Sequence, residues 1–289
     1  MPSTPYQIQA LNQEDFPDLL REIPQPPEKL FLAGALPDPT EYYYLSVVGS
    51  RKFTSYGREV TERLIAGLAG FPICIVSGLA IGIDGIAHRA ALDHGLPTLA
   101  IPGSGLDERV LYPRAHLTLA QEIIASGGGL LSEYDPDLRA APWTFPQRNR
   151  IMAGISHGTL VIEAEEKSGT LITARMALDY NKNVYAVPGS IFTATSKGTN
   201  KLIRQGATPI TCAQDLLDEL GFTTPTAGTL NLTLFSPEEQ EILTLLNEPC
   251  AREDILATTS LSPAKALSTL TILEIKGITR ERMGKIERI

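Results

Sequence analysis

Four arginines are set among glycines, hydroxyl side chains and aromatic rings: Arg51 in "GSRKFTSYG", Arg114 in "VLYPR", and Arg148 and Arg150 in "FPQRNR". Phe53, Tyr112, Trp143 and Phe145 are interleaved with them. Guanidinium groups hold phosphate oxygens through a fork of N–H donors, and aromatic faces stack on bases, so the mixture suits a single-stranded nucleic acid. Plainer readings exist: a structural salt bridge for Arg51 taken alone, a hydrophobic lid for Trp143. In "FPQRNRIMAGIS", Ile151 and Ile155 are spaced i, i+4 and mark the buried stripe of a helix expected to begin near Arg148, just after Pro146. A helix start carries partial positive charge, and a cation there costs about 0.3–1 kcal/mol. A negative partner is therefore expected nearby. Successive helical residues point about 100° apart, so one of Arg148, Asn149 and Arg150 turns inward to brace the site, and Asn149 is the residue expected to do so.

Two other groups of titratable side chains stand at strand ends. Asp84 and His88 are spaced i, i+4 at a helix start, a pattern open to metal binding or acid–base work. No third ligand accompanies them, so Asp84 reads as a helix cap with His88 packed beside it. Glu163, Glu165 and Glu166 read as a solvated turn or as ion-pair partners of Arg148 and Arg150, without a catalytic role.

The elements that must position these residues alternate. "YLSVVGS", "ICIVSG", "PTLAIPGSG", "GGLLSEY", "GTLVIEA" and "NVYAVPGS" read as strands, and "YGREVTERLIAGLAG", "IDGIAHRAALDHG", "YPRAHLTLAQEIIASG", "RNRIMAGIS" and "GTLITARMALDYN" as helices between them. Parallel strands need crossover helices, so the pattern predicts an α/β fold: an extended Rossmann-like, doubly wound parallel sheet over residues 44–222. Residues 1–43, acidic and interrupted by prolines, read as an irregular lead-in. Residues 223–230 read as a linker. Within 231–289, a Ser-Pro-Glu-Glu helix start, two further helices, the last closed by Gly277, and a hairpin turning at Met283-Gly284 predict a small winged-helix-like domain.

Ligands of doubly wound sheets sit beyond the carboxyl ends of the strands. The loops predicted there, Gly49–Gly57, Ser77–Asp84, Pro102–Arg114, Phe145–Arg150, Glu166–Thr170 and Pro188–Ser190, are rich in Gly, Ser and Arg and describe a phosphate-lined rim. None has the glycine spacing of a dinucleotide-binding turn or the Gly-Lys-Ser/Thr ending of a P-loop.

The chain has 289 residues, 43% hydrophobic and 20% charged, with a formal charge of −8. That charge excludes a protein that holds nucleic acid by overall basicity. Residues 46–229 carry 16 basic and 17 acidic side chains, so an anion site there must come from local clustering. Three widely separated cysteines without metal-ligand spacing indicate reduced thiols, and no stretch resembles a signal peptide or a membrane span. A cytoplasmic location is expected, with neither a metal nor a cofactor.

The blocks "VVGSR", "VSGLAIGIDGIAHRAAL", "IPGSGLDERVLYPRAH", "GGLLSEYDP", "FPQRNRIMAGIS", "VIEAEEKSGTLITARMAL" and "VYAVPGS…SKGTNKLIRQGA" together resemble the DNA-processing protein A family (DprA, also called Smf). The resemblance runs from about Val47 to Asp218. It implies an extended Rossmann fold that binds single-stranded DNA without sequence preference and loads the RecA recombinase onto it during natural transformation. It implies a homodimer formed through the later part of that domain, and a winged helix behind it. Matched position by position, the family's DNA pocket falls on Gly49, Ser50 and Arg51, on Phe145, Arg148, Asn149 and Arg150, and on Ser168, Gly169 and Thr170. Arg114 takes a place usually basic or polar. Members often begin with a helical front domain, whereas about 40 residues precede the sheet here, so no role of such a domain is implied. The competing resemblance is to lysine-decarboxylase-like (LOG) nucleotide hydrolases, whose "PGGxGTxxE" motif supplies a catalytic glutamate. This chain has Thr173 at that place, so the expectation is a protein that is not an enzyme.

Overall fold

Short aliphatic and β-branched runs set the frame of the molecule. In the computed structural model, which describes residues 6–222, 235–246, 250–276, 278–282 and 284–288, the chain divides into two units, Met1–Phe222 and Thr223–Ile289. The first unit runs β1 (Ile8–Leu11), α1 (Asp18–Arg21), β2 (Leu30–Gly34), β3 (Tyr43–Val48), α2 (Ser55–Ala66), β4 (Ile73–Ser77), α3 (Ile83–Asp93), β5 (Thr98–Ala100), α4 (Leu117–Ala125), β6 (Gly129–Ser132), α5 (Thr144–Ile155), β7 (Gly158–Val161), α6 (Thr170–Asp179), β8 (Asn183–Ala186), α7 (Lys197–Arg204), β9 (Thr208–Pro209) and α8 (Ala213–Glu219).

These strands form one sheet in the order β1-β2-β6-β5-β4-β3-β7-β8-β9. From β6 to β9 every pairing is parallel. Alternation along the strands separates the two faces. Tyr44 and Val48 pack with Ile151, Met152 and Ile155 of α5 and with Ala174 and Ala177 of α6. Leu45 and Val47 pack with Leu64 and Ile65 of α2 and with Ile83 and Ala87 of α3. Helices on both faces of a mostly parallel sheet make this a Rossmann-like, doubly wound α/β unit.

Two expectations are corrected here. The region 1–43 is not an irregular lead-in over its described part. The run Leu30–Ala33 is buried, Phe31–Gly34 pair antiparallel with β6, and Ile8–Leu11 pairs with β2 in turn. Prolines before and after this run disguise it, but they lie outside its paired residues and so remove no ladder hydrogen bond. Second, α5 begins at Thr144, about one turn before Arg148. The N–H groups of a first turn have no intrahelical partner, so Pro146 costs nothing there and does not delay the start. Arg148 and Arg150 consequently lie in the middle of the helix, away from its positive end.

The second unit contains α9 (Pro237–Leu245), β10 (Cys250–Ala251), α10 (Arg252–Thr258), α11 (Pro263–Ile275), β11 (Thr279–Arg282) and β12 (Lys285–Arg288). The Ser236 hydroxyl accepts from the Glu239 N–H, the Glu239 carboxylate accepts from the Ser236 N–H, and Pro237 opens the helix. Ile242, Leu243, Ile255, Leu270, Leu273 and Ile286 form its core. β11 and β12 pair antiparallel with Arg282 opposite Lys285, and β10 joins β12. The expected linker 223–230, Gly277 and Met283 lie outside the described residues.

Candidate nucleic-acid interface

The topology fixes where the strand-end loops meet. β3 and β7 are neighbours, yet the chain leaves β3 towards β4 and leaves β7 towards β8 on the other side. Opposed connections open a crevice at the carboxyl ends of these two strands. Gly49, Ser50 and Arg51 leave β3 there. The Thr170 hydroxyl donates to the Gly49 carbonyl at 3.1 Å and accepts from Ser168 at 2.9 Å, so the Ser168, Gly169 and Thr170 turn sits against the Arg51 loop.

The crevice is filled from within by Glu163, which is 2% exposed. Its carboxylate accepts from the Thr54 N–H at 3.0 Å, the Thr54 hydroxyl at 2.7 Å and the Thr195 hydroxyl at 3.1 Å. Thr54 is the N-cap of α2. A buried carboxylate thus occupies the helix-terminal position that a phosphate takes in nucleotide-binding relatives of this fold. This corrects the reading of Glu163 as a solvated turn or as a partner of Arg148 and Arg150. Thr173, where a hydrolase motif places its glutamate, is itself buried.

Beside the crevice, Arg51 and Phe145 come together. The Arg51 guanidinium lies 5.0 Å from the Phe145 ring centroid, and Tyr112 meets the same ring edge-on at 5.7 Å. Gly78, Ala80, Ile81 and Pro113 complete the hollow around them. Arg51 is exposed and has no ion pair among the described residues. Arg114 follows Pro113 on the surface and donates to the Glu108 carbonyl at 2.7 Å. Trp143 is 56% exposed and packs edge-on against Tyr134 rather than closing a lid over the sheet.

The other two arginines face inward. Arg148 is 4% exposed and donates to the Gly78 carbonyl at 2.6 Å and to the Ile101 carbonyl. It braces the loops after β4 and β5, the role expected of Asn149, which is itself near-buried without carrying these contacts. Burial pushes the Arg148 guanidinium down to about 10, against the opposing pull of Asp84. Arg150 pairs with Glu133 and donates to the Gln25 carbonyl. Burial raises the Glu133 carboxyl, and Arg150 counteracts that rise.

Asp84 does not cap α3. Its carboxylate reaches back to accept the Gly78 N–H at 3.2 Å, and burial raises its pKa in spite of Arg148 and Arg51. His88 is fully buried, its Nδ1 2.7 Å from the Thr98 hydroxyl, and desolvation drives its pKa down to about 3. Among the described residues no cluster of three or more His, Cys, Asp or Glu side chains stands in metal-binding range. Asp84 faces both Arg148 and Arg51, so two cations share one carboxyl whose charged form burial disfavours. The site presents one accessible cation on an aromatic ring, held by loops that a buried cation braces from behind.

A family model described as DNA recombination-mediator protein A matches residues 7–221. The chain belongs to the DNA recombination-mediator protein A family. Protein Smf of Escherichia coli is 36% identical over 277 residues, 92% of this chain and 73% of its own. The DNA processing protein DprA of Streptococcus pneumoniae is 43% identical over 207 residues, 72% of each chain. An X-ray structure of the S. pneumoniae protein gives a TM-score of 0.69 over 74% of both chains. DNA processing protein A of Helicobacter pylori, a protein with a distinctive single-stranded DNA binding mode, gives 0.68 at 30% identity over 76% of this chain and 98% of that one. The DNA recombination-mediator protein A match, residues 7–221, contains the Arg51 and Phe145 hollow.

Gly78, Ala80 and Ile81, walls of that hollow, lie in the Ser77–Asp84 loop expected on the rim, but their place against Arg51 and Phe145 was not singled out from the sequence. The run "SGLAIGIDG" was the available signal, since closely spaced small residues permit backbone to approach neighbouring loops.

Proposed function

We propose that this protein binds single-stranded DNA along the strand-end rim and delivers it to a RecA-type recombinase. The observation that carries the reading is the exposed Arg51 guanidinium set against Phe145, with no ion pair among the described residues and with the buried Asp84 carboxyl shared between it and Arg148. Arg51 and Arg114 serve phosphates, Phe145 and Tyr112 offer ring surface, and Ser50, Ser168, Thr170 and the Gly49 and Gly169 backbone supply neutral hydrogen bonds. Arg148, Asn149 and Arg150 shape the rim from below. Membership in a family of DNA-processing proteins, and the single-stranded DNA bound by the H. pylori relative, support the assignment.

The protein acts as a binding protein, in the cytoplasm, without a cofactor. The described residues include no helix long and apolar enough to cross a membrane. A nucleotide-hydrolysing alternative is disfavoured by Thr173 in place of a catalytic glutamate and by Glu163 in the phosphate position of the crevice. We assign the second unit, whose described residues form three helices and a three-stranded sheet, a winged-helix role as a protein-contact module, and the first unit a homodimer contact through its later elements. Competition tests the reading. Unlabelled single strands of any sequence should displace a labelled oligonucleotide, and blunt duplex should do so poorly, because stacking requires exposed bases. Equal competition by duplex would contradict it.

A further inference from the structure

A second hollow adjoins the first. Ile81, 51% exposed, forms a wall of the Arg51 hollow and also of a groove of about 480 Å³ between α2 and α3. Phe53, Arg58, Gly82, Gly85 and His116 are among the residues that line that groove. It repeats the chemistry of the first: the Arg58 guanidinium lies 5.0 Å from the Phe53 centroid, the separation found between Arg51 and Phe145. The Arg51 hollow holds only about 50 Å³, which leaves no room for a base with the guanidinium where it stands. The groove is within the range of about 300–1,000 Å³ that accommodates small ligands.

Resting on the single-stranded DNA reading above, we propose that the groove is a further nucleotide subsite on the same strand, with a base laid against the Phe53 and Arg58 pair. Bases stack on aromatic rings and on guanidinium planes alike, so an Arg-on-Phe pair offers both a flat surface and a cation at its rim. Arg58 is available for this. Its nearest acid, Glu62, is 3.9 Å away, and both side chains are more than half exposed, so their pairing is weak. Glu62 and Asp93 also line the groove and oppose a phosphate backbone on their side of it, while Arg58 and Arg89 favour one. The subsite therefore extends the rim past Ile81 and ends within the groove.

The test is equilibrium binding of a labelled oligothymidylate of about twenty nucleotides by the full chain. Arg58→Glu is compared with Arg63→Glu, an exposed control on the same helix that does not line the groove. Arg58→Glu should weaken binding about tenfold and make the log–log salt slope shallower by about 0.7, while Arg63→Glu stays within about twofold of wild type. Phe53→Leu, which keeps an apolar side chain but removes the ring, should weaken binding to the oligothymidylate and leave binding to an abasic strand of equal length unaffected. Loss with Arg51→Ala but equal behaviour of Arg58→Glu and Arg63→Glu would overturn the second subsite alone. An absence of single-strand binding by the wild type, or indifference to Arg51→Ala, would overturn the function from which it follows.

Discussion

The Arg148 guanidinium donates to the Gly78 carbonyl at 2.6 Å, and a Cβ on Gly78 would overlap that same guanidinium. The two residues are mutually required. Arg148 satisfies the turn after β4, and only glycine leaves it room. Arg148→Ala would remove a buried cation with its hydrogen bonds to the Gly78 and Ile101 carbonyls and take the larger of two cationic influences from the buried Asp84 carboxyl, a change that costs about 3–5 kcal/mol. Urea unfolding should show that loss, and Asp84→Asn in the same chain should restore part of it. A loss below about 1 kcal/mol would refute the bracing role.

Gly82 has φ +97°, and a Cβ there would sit 2.8 Å from the Arg51 Cα and against the Ser50 carbonyl. Gly82→Ala should therefore destabilise the unit by about 1–3 kcal/mol and shift the Arg51 loop. Weaker oligonucleotide binding under conditions where the variant is fully folded is the expected readout.

Glu163 joins the α2 N-cap to Thr195 through one carboxylate. Hydrogen bonds to a charged group contribute more than neutral ones, and Glu163→Ala should cost about 2–3 kcal/mol, with Glu163→Gln costing less. Thermal unfolding of the two variants reads that loss, and the wild type should release no base from a nucleoside monophosphate; release that Glu163→Gln abolishes would make the carboxylate catalytic rather than positioning.

His88 is buried neutral, its pKa lowered from 6.5 to about 3 by desolvation. The unfolded chain binds a proton between those values that the folded chain refuses. Stability attached to His88 is therefore full above pH 6.5 and is lost as pH falls towards 3, at about 1.4 kcal/mol per unit. Between pH 7 and pH 5 the wild type should lose on the order of 2 kcal/mol from this group. His88→Gln should be less stable at pH 7 but show a flatter acid limb; equal slopes would contradict the assignment.

Much of the frame was legible in the sequence. The six strands read from β-branched runs are β3 to β8, because period and turn residues agree with one another there. β1 and β2 were hidden by flanking prolines, and their pairing is long-range, which local pattern cannot report. The Arg51 and Phe145 site was legible as a cluster of residue types. The inward turn of Arg148 was not, because Pro146 looked like a helix boundary when it belongs to the first turn. Glu163 was misread for a related reason: charge in a loop usually means solvent, and only tertiary contacts reveal that Thr54 and Thr195 enclose it.

The central claim is that Arg51 holds the phosphate of a single strand. A salt titration of single- and double-stranded DNA binding, run with wild type and Arg51→Ala, tests it most directly. Single-strand affinity should fall steeply with salt, by about 0.7 log units per log unit of salt for each neutralised phosphate, and exceed duplex affinity throughout. Arg51→Ala, exposed and therefore folded, should bind about tenfold more weakly with a slope shallower by about 0.7. Unchanged affinity and slope in Arg51→Ala would contradict the account.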